Sequence, residues 1–168
     1  MSSEVVKKLH NLDDYQIVGF FEHFSRQVFN GLDVDMNTIL EGIPDSLKEL
    51  NGFSELTQLS SAQKNKKMDA AVSAPVARSI LLTLAEDEQF EKLLQEALAG
   101  FKDDEMVADI ILAVGAAVSM ILVAATTQLK GKIFGMEIQK DKASPNMIKA
   151  VGELFKDMVP KLIGKKGG

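Results

Sequence analysis

Asp33, Asp35 and Asn37 are spaced like the opening of a calcium-binding loop, and they are the nearest this chain comes to a metal motif. Such a loop continues with Gly at its sixth position and Glu at its twelfth, to make the sharp turn and the bidentate ligand. Here those positions hold Thr38 and Pro44. The triplet therefore reads as a polar turn, in which short side chains bond the adjacent backbone. The two histidines, His10 and His23, lack the i+4 partner that a helical zinc site requires. His23 falls near the polar side of a Phe-rich helical pattern, where a rim position is expected. No serine lies in a nucleophile elbow, and the glycines form neither of the phosphate-cradling patterns. The pairs Asp13-Asp14 and Asp103-Asp104 stand where helices should begin, and capping accounts for them better than acid–base chemistry. No catalytic, cofactor-binding or metal-ligating residue is assigned, and the chain is not expected to be an enzyme.

Composition narrows the partners. Cysteine is absent, which excludes disulfides and thiol chemistry. The net charge of −5 gives no general attraction to nucleic acid. One segment departs from this acidic balance. The C-terminal stretch from Met147 carries Lys149, Lys156, Lys161, Lys165 and Lys166 against Glu153 and Asp157. A cationic amphipathic helix of this kind can rest on an anionic membrane surface. It can equally be a docked terminal helix with solvated lysines, and the five lysines are candidate membrane-surface contacts only under the first reading.

The elements that would position these residues follow from periodicity. Ile17, Phe20, Phe21, Phe24 and Val28 recur at helical spacing over 12–30, with Asn30-Gly31 as a stop. Pro44 opens a short helix through Leu50. Ser73-x-Pro75 opens a helix to Leu84, and Asp87 opens another that stops at Gly100. Ser144-Pro145 starts the last helix, which Pro160 should kink or end. Residues 132–140 alone look strand-like, but a lone strand forms no stable sheet. An extended connector is expected there.

Residues 110–129 form an unbroken run of twenty uncharged residues. As a helix it would be about 30 Å long, which matches the hydrocarbon core of a bilayer. The acidic residues before it and Lys130 and Lys132 after it would orient a span so that the first hundred residues cross the membrane, with no apolar signal segment to lead them. A helix apolar all round also suits the centre of a soluble bundle. The expected fold is therefore all-α: a single-domain bundle of about six to eight helices around a central apolar helix at about 104–129. Residues 1–10 are expected as a flexible arm or short lead-in helix. The domain is expected over 11–163 with an exposed loop at 60–69, and 164–168 as a disordered tail. Expected function is a non-enzymatic protein–protein interaction module with an adaptor, regulatory or scaffolding role. It would be cytoplasmic, homodimeric or higher, with an unidentified protein partner. The alternative is a membrane-active, pore-forming type of protein whose apolar helix inserts with help from the cationic C-terminal helix.

Val118→Asp tests the central helix. It places a carboxylate about 14 Å along the axis from Asp109. In a buried helix the new charge has no evident partner, and its desolvation costs several kcal/mol, comparable with the stability of a whole domain. The expected outcome is loss of the cooperative thermal transition and of soluble expression. A folded, soluble variant would remove the central-helix model.

Overall fold

The computed structural model describes residues 4–32, 41–49, 70–101, 123, 129–133, 135–140 and 144–162. The elements are α1 (Glu4–Asn11), α2 (Asp14–Gly31), α3 (Asp45–Lys48), α4 (Ala70–Leu84), α5 (Glu88–Gly100), β1 (Leu129–Ile133), β2 (Met136–Lys140) and α6 (Pro145–Leu162). The fold is all-α, with one small antiparallel hairpin among the described residues.

Local chemistry explains where the helices begin. The Asp13 carboxylate accepts a hydrogen bond from the Gln16 backbone N–H at 2.8 Å, and the Gln16 side chain accepts one from the Asp13 N–H at 2.9 Å. This capping box satisfies two donors that a helix N-terminus otherwise leaves bare. Asp87 caps α5 through Gln89 at 2.8 Å and Phe90 at 3.3 Å. The Ser144 hydroxyl accepts from the Met147 N–H at 3.1 Å, with Pro145 at the first helical position, as the Ser-Pro pair predicts.

Packing centres on α2 and α4. Ile17, Val18, Phe20, Phe21, Phe24 and Val28 of α2 are buried, as are Val76, Ala77, Ile80, Leu81 and Leu84 of α4. These two helices share the most extensive contact, and α4 also meets α1 and α6. The Phe20 ring lies parallel to Phe24 at 6.0 Å and edge-on to Phe101 at 5.3 Å. With no Trp in the chain, this aromatic group provides much of the large apolar surface available to the core.

Arg78 ties the first two helices to the fourth. Its guanidinium donates to the Leu9 carbonyl at 2.6 Å and to the Leu12 carbonyl at 3.0 Å. Leu9 lies in the last turn of α1 and Leu12 immediately follows it, where carbonyls lack intrahelical donors and the helix end is negative. Asp14 stands 3.8 Å from the same guanidinium, but its side chain is 69% exposed and contributes little.

Several expectations are corrected. Of the two readings for the N-terminal stretch, residues 4–11 take the lead-in helix and not the flexible arm, with Val5 and Leu9 in the core. Its buried pair at i and i+4 forms an apolar stripe that the short stretch hides well. Helix α4 begins at Ala70, before Ser73 and Pro75. The exposed ring of Pro75 faces water, where a missing backbone hydrogen bond costs least, while Ser73 and Ala74 are buried. Pro160 does not end α6, which runs to Leu162. Helix α3 stops at Lys48, short of Leu50. Leu129, expected at the end of the central helix, belongs with Gly131 to β1. That strand supplies the pairing partner that residues 132–140 seemed to lack. The expected central helix lies outside the described residues except for Val123, which is helical and fully buried, and Leu129. The 60–69 loop and 164–168 tail also lie outside them.

Arg78→Ala should lower stability by about 2 kcal/mol or more, because it leaves two partly buried carbonyls without a charged donor. Asp14→Asn should cost less than about 1 kcal/mol. Chemical denaturation of the two variants checks the ranking, and equal losses would show that the ion pair holds the corner.

Candidate functional site

The hairpin and the end of α2 together enclose an open cleft of about 650 Å³. Its described lining is Asn30, Gly31, Lys130, Gly131, Lys132, Glu137, Ile138 and Gln139. The register explains why it is polar. Lys130 pairs with Gln139 and Lys132 with Glu137, while Gly131 pairs with Ile138 and Ile133 with Met136. Side chains alternate across a strand, so the first two pairs occupy one face and the others the opposite face. Lys130, Lys132, Glu137 and Gln139 are exposed, whereas Ile133 and Ile138 are buried. A two-stranded sheet is marginal alone, and this buried face anchors it to the helices.

Two glycines make the junction possible. Gly31 ends α2, and Leu32 forms an antiparallel bridge to Gly131. A Cβ built on Gly131 would collide with the Gly31 carbonyl oxygen and lie 2.9 Å from both the Gly31 carbonyl carbon and Leu32 Cα. A Cβ on Gly31 would strike the Lys132 carbonyl and come within 2.7 Å of Ile133 Cγ1. Backbone therefore meets backbone directly. Gly135, at φ +77°, occupies the second position of the two-residue turn. It takes a left-handed conformation that side chains disfavour.

The electrostatics are mixed. No basic residue lies in the last turn of α2. Lys130 and Lys132 of the hairpin line the cleft beside that negative helix end and complement it. Glu137 offsets one of the two charges. The site thus offers ammonium and amide donors beside carboxylate and amide acceptors, which suits polar or peptide-like groups. Beneath the hairpin, Val28, Leu32, Phe90, Leu93, Val123 and Ile138 border an apolar space of about 10 Å³. That space is about the size of one water probe and has no room for a lipid-like ligand.

Among the described residues, those singled out as candidate sites in the sequence are not gathered here. His10 is exposed on α1, and His23 is half-buried at the rim, 6.4 Å from the Phe101 ring. Asp33, Asp35, Asn37, Asp103 and Asp104 lie outside the described residues. Among the described residues, no group of three or more His, Cys, Asp or Glu side chains is placed to hold a metal ion. Lys149 and Lys156 are exposed on α6, with Glu153 between them and 3.8 Å from Lys156. Asp157 is exposed as well, so the described outer face of α6 carries two lysines against two acids. The cationic excess expected for this helix rests on Lys161, whose side chain is not described, and on Lys165 and Lys166, which lie outside the described residues. Among the described residues, no helix is long and apolar enough to cross a membrane. The cleft itself has no compact motif in the sequence. Its signal was the period-2 alternation on both sides of Gly135, which Lys130-Gly131-Lys132 disguised as a helix stop.

Gly131→Ala should be destabilising by about 1–3 kcal/mol, since its methyl group meets only backbone that cannot turn aside. Gly135→Ala should cost about 1 kcal/mol through its positive φ alone. Gly100→Ala, whose Cβ would meet nothing within 4 Å, should leave stability unchanged or raised. Thermal melts of the three variants test this order.

No protein-family model matches this chain, and comparison with curated proteins and with solved structures gave no significant match.

Proposed function

We propose that this protein is a non-enzymatic helical interaction module, with an adaptor, regulatory or scaffolding role, that offers partner proteins the cleft between α2 and the hairpin. The observation that supports this reading is an open polar cleft on a body whose apolar stripes are largely covered. Among the described residues, Tyr15 is the one large apolar side chain left exposed, at 50%. Recognition would then rest on hydrogen bonds and paired charge at the cleft, with rigid backbone behind it. The proposed partner is a protein, the proposed setting is the cytoplasm, and self-association is part of the proposal. The acidic net charge weighs against nucleic acid.

A membrane-active role is the competing reading. The uncharged run at 110–129 favours it, while the balanced charges on the described face of α6 weaken its cationic component. One experiment separates the two. A photo-crosslinking side chain is placed at Lys130, in the cleft, or at Lys149, on α6. The same cell extract is then floated with anionic vesicles. The module should give discrete protein adducts from Lys130 and few from Lys149, and it should stay at the bottom of the gradient. Flotation with vesicles, together with no protein adduct from Lys130, would overturn the proposal.

A further inference from the structure

We infer that the outer edge of β2 pairs, antiparallel about Ile138, with the same edge of a second copy of this chain. The inference rests on the self-association proposed above and names the surface that carries it.

The phase of the ladder sets the geometry. Ile133 and Met136 close a two-residue turn, so they form a hydrogen-bonded pair. Alternation makes Gly131 with Ile138, and Leu129 with Lys140, hydrogen-bonded pairs as well. The backbone N–H and C=O groups of Glu137 and Gln139 therefore point away from β1. Among the described residues, no strand receives them, whereas the opposite edge of the hairpin is bridged by Leu32. An open edge of this kind is a template for another strand.

Charge selects the occupant and the register. Outward-pointing groups can pair between two copies in three nearby antiparallel registers, each with two-fold symmetry. Centring on residue 137 sets Glu137 against Glu137. Centring on residue 139 sets Gln139 against Gln139 but, because β2 ends at Lys140, forms only two backbone hydrogen bonds within the strand. The first places like charges face to face, which is unfavourable, and the second forms few bonds. Centring on Ile138 sets each Glu137 against Gln139 of the second copy and forms four backbone hydrogen bonds. Across the outer face the row then runs Lys132, Glu137, then Gln139 and Lys130 of the second copy, with no like charges adjacent. The two-fold arrangement also closes, so it makes a dimer and not a filament. One strand pair is smaller than a standard interface of about 1,600 Å², so the dimer should depend on concentration.

Sedimentation velocity over a concentration series tests the pairing, with circular dichroism as the check on folding. The wild-type chain should show a reversible monomer–dimer equilibrium reaching into the high micromolar range. Gln139→Glu puts like charges opposite each other twice without touching the backbone, and it should weaken the dimer about tenfold. Adding Glu137→Gln to that variant returns each pair to one acid against one amide, with no like charges opposite within the hairpin, and should restore association. Gln139→Pro removes an outward N–H and leaves the hairpin's own ladder intact, and it should also weaken the dimer. A wild-type monomer throughout the series would overturn both the edge and self-association. A dimer indifferent to Gln139→Glu and Gln139→Pro would overturn the edge while leaving self-association standing.

Discussion

Burial of one face of α2 against α4 is the constraint on which the rest of the described structure depends. The Phe-rich stripe of α2 is too wide to be covered by a single neighbour. Helix α4 covers most of it, α5 and Phe101 close its flank, and β1 meets its C-terminal end. Each buried Phe removes a large apolar area from water, at about 25 cal/mol per Å². A core with no Trp and few aromatics concentrates that contribution in one helix. Arg78 adds direction to a force that has none of its own. Its planar donor fork fixes where α1 ends and α2 begins, so the apolar faces meet in one arrangement.

The sequence made helix starts legible because capping is local chemistry. Asp13 with Gln16, Asp87, and Ser144 with Pro145 each act within one turn, and each lies where the residue pattern predicts. Helix α5 and its end at Gly100 were equally readable. Prolines misled, because their effect depends on context: Pro75 sits inside α4 with its ring in solvent, and α6 continues past Pro160. The short lead-in helix was also ambiguous, since burial of Val5 and Leu9 depends on α4 and α5 being in place.

The hairpin shows the limit more sharply. Lys130-Gly131-Lys132 is locally indistinguishable from the end of a helix with basic residues and a glycine stop. What makes it a strand is pairing with residues 136–140 and close contact with Gly31, and neither is a property of the segment itself. The cleft was illegible for the same reason: its two sides come from distant parts of the chain. Clustered titratable groups leave a signature in sequence, whereas this site is built from amides, lysines and bare backbone.

The contact between Gly31 and Gly131 joins positions 100 residues apart (131 minus 31), compared with 69 for Arg78 and Leu9. Loop-closure entropy grows only with the logarithm of length, so the longer closure costs about 0.3 kcal/mol more. Distance along the chain is therefore a minor obstacle to docking the hairpin. The larger difference is what each contact gains once made. Arg78 locks a corner already surrounded by apolar side chains, while the two glycines contribute no side chain at all. The hairpin is thus held by close backbone fit, by the bridge from Leu32 to Gly131 and by the apolar groups beneath it. Since a two-stranded sheet is marginal alone, the hairpin and its seat on α2 form together or are lost together.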